Sequence, residues 1–213
     1  YSEKHIMPEN KLVPVPDGVS NEVASCVTLK GITAEYLLHR AYPLKKGDKV
    51  LYHAAAGALG QILCPWANSI GAEIIGTVGS KEKEEIAKKN GCHHVINYTD
   101  KNFVEEVEKI VGKNGIDVVY DGVGLKTFEG SIEVLKIRGM MVAFGNASGY
   151  VDTIDVKKHI NAKGLFFTRP SIAHYTIERD ELLEAAKKVF DAVLSSKFKI
   201  EISKKYSLDE VKQ

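Results

Sequence analysis

The chain has 213 residues, 44% hydrophobic and 27% charged, with 29 Lys and Arg against 28 Asp and Glu. That length can bury a full core, and a net charge of +1 gives no long-range pull toward nucleic acid or an acidic membrane surface. No apolar run approaches the roughly 18 residues that span a bilayer, and three widely spaced cysteines without a C-x-x-C (Cys26, Cys64, Cys92) read as reduced thiols of a cytoplasmic protein.

The sequence opens at Tyr1 without a Met, which leaves a targeting segment ahead of it an open question. Residues 8–18, "PENKLVPVPDG", are proline-rich and extended, which suits a connector. Helical patterns follow over 21–29 and 31–41, with Gly31 predicted as the break between them. After the polar turn "PLKKGDK" (43–49), short apolar strands are predicted at 49–54, 73–78, 93–96, 117–120, 139–144 and 164–168. Helical patterns lie between them at 58–70, 81–90, 101–111 and 126–135.

This alternation predicts an α/β fold: a doubly wound parallel sheet of Rossmann type, covered on both faces. Pro65, inside 58–70, is expected to bend that helix near 61–65, with core packing of Ile62, Leu63 and Trp66 compensating and Cys64 also buried. A last helix is predicted at 178–196, with acids early and Lys187 and Lys188 later, an order that suits the helix dipole. "YSLDEVKQ" (206–213) looks like the opening of another helix, with Ser207 and Glu210 placed as a capping box.

Ala55-Ala56-Gly57-Ala58-Leu59-Gly60 reads A-x-G-x-x-G directly after a strand. In a dinucleotide loop the first position makes a tight turn, the second lets backbone approach a pyrophosphate, and the third packs helix against strand. Gly57 and Gly60 hold the last two roles, and alanine serves the first if φ there stays negative. A small-residue turn without a ligand is the plainer alternative.

The next strand bears on the ligand. NAD sites place an acid at its end for the ribose 2′-hydroxyl. Here it ends Thr77-Val78-Gly79-Ser80, with Glu73 at the wrong end and Lys81 and Lys83 just beyond. A 2′-phosphate beside an ammonium gains about 4 kcal/mol at an effective dielectric of 20 before screening. The expected cofactor is therefore NADP(H). Alternatively, Ser80 caps helix 81–90 and the lysines are surface groups, with Glu84–Lys88 and Glu85–Lys89 pairs along the helix. A methyltransferase is also α/β with a glycine loop, but it too wants the missing acid.

Seven stretches carry a resemblance: "LKGITAEYLL" (29–38), "KKGDKVLYHAAAGALGQ" (45–61), "IIGTVGSKEK" (74–83), "HHVINY" (93–98), "VVYDGVG" (118–124), "GMMVAFGNASG" (139–149) and "TRPS" (168–171). In order and spacing they resemble the quinone oxidoreductases of the ζ-crystallin type, in the zinc-independent branch of the medium-chain dehydrogenase/reductase superfamily. The resemblance implies that Ala56, Gly57, Ala58, Leu59 and Gly60 cradle the pyrophosphate. It places Gly79, Ser80, Lys83 and Tyr98 at the 2′-phosphate, and Gly122 and Val123 along the cofactor. Phe144, Gly145, Asn146 and Thr33 fall near the nicotinamide half. Ala58 departs from the family, which usually has a glycine there.

The implied reaction is hydride transfer from NADPH to a small-molecule quinone or conjugated carbonyl. An enone or 2-alkenal reductase and a non-catalytic nucleotide- or RNA-binding module are the alternatives. Nucleic acid is disfavoured by near-neutral charge and by the lack of an arginine-rich tract. No catalytic residue and no metal ligand is assigned. Adjacent His93 and His94 diverge on a strand, and the cysteine that zinc-using relatives place near Lys30–Thr33 is missing. The resemblance further implies residues 1–20 as the tail of a catalytic domain, 21–173 as the NADP(H)-binding domain and 174–213 as a helix returning to the catalytic domain. It also implies a homodimer through the sheet edge at 165–171, "LFFTRPS".

Overall fold

The computed structural model describes residues 2–210. Strands β1 (Lys49–His53), β2 (Glu73–Val78), β3 (His94–Asn97), β4 (Ile116–Asp121), β5 (Leu135–Ala143) and β6 (Phe166–Thr168) pair in parallel in the order β3-β2-β1-β4-β5-β6. Helices α1 (Asn21–Tyr36), α2 (Gly60–Ile70), α3 (Lys81–Lys89), α4 (Phe103–Val111), α5 (Phe128–Val134) and α6 (Arg179–Leu194) cover the sheet. The strand order reverses between β1 and β4, so the loops leaving those strands part and open a crevice at their carboxyl ends. The doubly wound reading therefore holds.

Alternation along each strand divides the core in two. Val50 and Tyr52 of β1 pack with residues of α1, α2 and α6, while Leu51 joins the cluster under α4 and α5. Both faces are dry, which is why the central strands read as continuous apolar runs.

The predicted break at Gly31 is not there. Helix α1 runs through it, starts at an N-cap where Ser20 accepts from the Val23 N–H, and passes into a π turn at Leu37–Ala41. A methyl at Gly31 would lie 2.5 Å from Val189 Cγ1, so this glycine lets α6 seat against α1. A mid-helix glycine costs about 1 kcal/mol against alanine, a small loss beside a close interhelical contact. The same interface buries Glu35, which pairs with Arg40 at 2.8 Å and Lys188 at 3.3 Å. A carboxylate taken out of water needs such partners.

Helix α2 begins at Gly60, two residues later than the 58 expected, and continues through Pro65 to a left-handed C-cap at Gly71. Ile62, Leu63, Cys64 and Trp66 are all buried, the packing expected to offset the proline. Helix α6 opens with a capping box between Glu178 and Glu181. Near the end, the Ser207 N–H donates to Glu210 Oε2 at 2.8 Å above a single 3-10 turn, Leu208–Glu210. The rest of that expected helix lies outside the described residues. Residues 2–18 are mostly exposed and extended apart from a 3-10 turn at Glu9–Lys11, and Arg179 of α6 donates to the Asn10 carbonyl at 3.2 Å. Among the described residues no helix is long and apolar enough to cross a membrane.

Candidate functional site

The loop after β1 is shaped by what cannot be added to it. Ala54 takes φ +60°, the left-handed turn, and Ala55 follows with its N–H on the Thr77 carbonyl at 3.0 Å. The tight turn thus sits one residue ahead of the A-x-G-x-x-G frame, and Ala55 keeps a negative φ as expected. Ala55 is fully buried because β2 offers Gly76 opposite, where a methyl would come within 2.6 Å of the Ala55 Cβ. A methyl on Gly60 would lie 2.2 Å from the Ala55 carbonyl oxygen, so only glycine lets α2 start this close to β1.

Gly57 donates to Ala54 O and Gln61 to Gly57 O. Among the described residues the N–H groups of Ala56, Ala58, Leu59 and Gly60 have no acceptor in the protein. Unpaired N–H groups at the start of an eleven-residue helix suit a phosphate. The cradle fits such a group.

The end of β2 forms the second wall. Tyr98, 46% exposed, continues β3 with its N–H on the Val78 carbonyl, and its hydroxyl would lie 2.6 Å from a methyl at Gly79. Gly79 and Tyr98 are thus brought into contact. Ser80 stands at the N-cap of α3 but accepts no capping hydrogen bond, so its expected capping role is corrected. The Glu82 carboxyl is held below the usual range, first by its own backbone N–H and then by the Ser80 hydroxyl. Lys81 and Lys83 are exposed, and neither forms an ion pair among the described residues. The expected Glu84–Lys88 and Glu85–Lys89 pairs are replaced by Glu85–Lys88, one helical turn apart, and by Lys89 with Glu201. Lysine side chains reach whichever carboxylate the tertiary structure brings nearest.

The loops after β4 and β5 close the crevice. Residues 144–149 lie on 121–125: Phe144 N and Gly145 N donate to Asp121 O, Ser148 N to Val123 O and Leu125 N to Gly149 O. A methyl on Gly145 would lie 2.4 Å from Gly122 O, and one on Gly122 would lie 3.0 Å from the Phe144 ring. Gly122, Val123, Phe144, Gly145 and Asn146 therefore form one compact wall. Thr33 is half-buried on α1, and its hydroxyl donates to Leu29 O at 2.8 Å within its own helix. Among the described residues no hydrogen bond ties it to the glycine loop.

Sequence reading missed a polar network beneath this crevice. His53, the last residue of β1, is 1% exposed and lies between Thr77 Oγ1 (2.9 Å) and Ser131 Oγ (3.0 Å). Ser131 in turn reaches Asp121 Oδ2 at 3.3 Å. Burial pushes the His53 imidazole below its ordinary range, against the pull of Asp121. The available signal was a histidine, a threonine and a serine at positions that alternation assigns to the core. His93 and His94 do diverge: His93 Nδ1 accepts from the Ile74 N–H, while His94 Nε2 faces Glu73. A surface depression lined by His39, Trp66, Lys188 and Lys197 shares no residue with the crevice.

Sheet order, loop and walls together define an open α/β domain whose topological switch point suits a phosphate-bearing ligand. The zinc-binding dehydrogenase family matches over residues 58–203, and the chain belongs to that family. It is 44% identical over 213 residues to a 2-haloacrylate reductase of Burkholderia sp, covering 99% of this chain and 64% of that protein. It is 40% identical over 216 residues to quinone oxidoreductase 1 of Escherichia coli (strain K12), covering 100% of this chain and 66% of that one. The chain thus spans just under two thirds of these curated relatives. The crystal structure of an Escherichia coli quinone oxidoreductase complexed with NADPH superposes with TM-score 0.84 at 42% identity, over 89% of this chain and 58% of that one.

The family's name implies zinc. Among the described residues no group of three or more His, Cys, Asp or Glu side chains could hold a metal ion, so the donors such a site needs are not assembled here.

Proposed function

We propose that this chain is the cofactor-binding part of an NADPH-dependent quinone oxidoreductase, which transfers hydride from NADPH to a quinone or a conjugated carbonyl. One observation carries the choice of cofactor. The end of β2 presents Gly79 and Ser80 where a carboxylate would hold a ribose 2′-hydroxyl, with Lys83 exposed one turn into α3. An ammonium attracts a 2′-phosphate that a carboxylate in that place would repel. The NADPH complex of the Escherichia coli relative supports the reading.

Bound NADPH supplies the hydride. The chain's own residues bind and orient it. The N–H groups of Ala56, Ala58, Leu59 and Gly60 hold the pyrophosphate, and Gly57 gives it room. Ser80, Lys83 and Tyr98 receive the 2′-phosphate beside Gly79. Gly122, Val123, Phe144, Gly145 and Asn146 form the wall along the nicotinamide half, and Thr33 joins this set through family likeness. No acid or base of this chain is assigned to the reaction.

A second reading, reduction of a conjugated or halogenated acrylate, is supported by the 2-haloacrylate reductase at 44% identity. The same proposal includes the division at residues 20 and 173, with a catalytic domain beyond this chain, and a cytoplasmic location, which free thiols at Cys26, Cys64 and Cys92 support. It also includes a homodimer through β6, an edge strand whose Phe166 is 59% exposed.

Competitive titration of NADPH against NADH tests the cofactor. NADPH binding at least about tenfold tighter is expected, one unit of 1.4 kcal/mol. Equal affinities, or no binding of either, would reject the assignment.

A further inference from the structure

The chain of buried polar groups beneath the crevice plays no part in the roles assigned so far, yet it connects three of the elements that frame the site. The direction of each proton follows from what each atom can do. A carboxylate only accepts, so the Ser131 hydroxyl donates to Asp121 Oδ2. The Ser131 oxygen is then left to accept, which places the His53 proton on Nε2. Nδ1 is therefore a bare acceptor, and the Thr77 hydroxyl donates to it. Protons point one way along the row, from Thr77 through His53 and Ser131 to Asp121, and every link uses a neutral imidazole.

Each end of the row holds a wall of the crevice. At one end is Thr77 of β2, whose carbonyl accepts the Ala55 N–H at the start of the glycine loop. At the other end Asp121 Oδ1 accepts from Val123 N at 2.7 Å and Gly124 N at 3.0 Å, and Oδ2 accepts from Thr127 Oγ1 at 2.7 Å. Asp121 thus fixes the turn that carries Gly122 and Val123, with Gly124 at φ +90°. Thr77, His53, Ser131 and Asp121 are all fully buried or within 1% of it, so no water substitutes for a missing link at low cost. The Phe103 ring of α4 meets the imidazole edge-on at 5.1 Å and closes the remaining side.

We infer that His53 is a positioning residue for the dinucleotide: through Ser131 and Asp121 it holds the Val123–Gly124 turn at the spacing from the glycine loop that the middle of the ligand requires. This inference rests on the NADPH reading above. It goes beyond that reading in giving a function to residues that touch no ligand. It also predicts where the effect falls. The adenosine end, held by Ser80, Lys83 and Tyr98, does not depend on the β4 turn and stays intact when the row is cut.

The test titrates wild type, Ser131→Ala, His53→Asn and His53→Gln with NADPH and, separately, with adenosine 2′,5′-bisphosphate, which carries only the adenosine end. Ser131→Ala cuts the row by removing one oxygen. Asparagine is too short to keep the link to Ser131, whereas glutamine can present an amide N–H near the place of Nε2. Ser131→Ala and His53→Asn should weaken NADPH about tenfold, the worth of one buried hydrogen bond. Both should leave adenosine 2′,5′-bisphosphate within about twofold, and His53→Gln should keep NADPH within about threefold of wild type.

NADPH binding unchanged in Ser131→Ala overturns the inference, as does parallel weakening of both ligands, the mark of a purely structural role. Should His53→Asn fail to fold, Ser131→Ala decides the matter alone. Wild type that binds neither ligand would overturn the proposed cofactor and this inference with it; wild type that binds both beside indifferent variants removes only the role of His53.

Discussion

At Ala55 and Gly60 there is almost no room for another atom, whereas between Gly79 and Lys83 the side chains are half-buried or exposed and the proposed selection is by charge. A methyl on Gly60 meets the Ala55 carbonyl at 2.2 Å, while Lys83 and Glu82 are exposed. In the first region Ala55 and Gly60 are buried and specified by shape, while Ala54, Gly57 and Ala58 beside them are exposed. In the proposed reading the second is specified by electrostatics in high dielectric, where each interaction is weaker and salt-sensitive. Mutations in the first should therefore act on stability and binding together, and mutations in the second on cofactor choice alone.

The largest effect is expected at Gly60. Gly60→Ala should lower stability by about 2–3 kcal/mol in urea unfolding and abolish measurable NADPH binding, because the methyl pushes α2 off β1. A variant as stable and as tight as wild type would show that the loop has slack. At the rim, Lys83→Ala should weaken NADPH about tenfold and leave NADH unchanged, with the loss shrinking as salt rises. Glu82→Gln should act in the opposite sense and tighten NADPH about twofold to threefold, since it removes a negative charge beside Lys83. Equal changes for NADPH and NADH in either variant would mean that the rim does not read the phosphate.

Acid probes the buried row between the glycine loop and the β4 turn. Burial holds the His53 imidazole below its ordinary 6.5, with Asp121 opposing. The folded chain thus resists a proton that the unfolded chain takes up. Its contribution to stability is complete above about pH 6.5 and declines as the pH falls below that value. His39 is shifted the same way, chiefly by burial, and adds to the slope. Urea unfolding from pH 7.5 down to 5 should therefore fall less steeply for His53→Gln than for wild type. Parallel slopes would remove His53 from the account. The smallest effect is expected at Ala54, whose φ of +60° strains any residue with a Cβ. Ala54→Gly should relieve that strain and stabilise the fold by about 0.5 kcal/mol, the gain being partly offset by a freer unfolded chain.

Much of the fold was legible because strands and helices write their periods locally. All six strands appear within a few residues of their expected places, and the A-x-G-x-x-G loop lies where strand meets helix. Gly31 misled for a physical reason: a glycine inside a helix looks the same in sequence whether it ends the helix or admits a neighbour. The helix-surface pairs misled because Lys89 found Glu201, a partner far along the chain.

By itself the sequence determined the alternating architecture, the glycine loop and the acid-free end of the second strand, since each is set by neighbours within a few residues. Only the tertiary structure decided that Gly76 makes room for Ala55, that Gly31 receives Val189, and that Thr77, His53, Ser131 and Asp121 meet in one row. Those contacts join residues from separate crossovers. Hydrophobic periodicity records which face of an element is buried, but not which side chain of another element it will meet there.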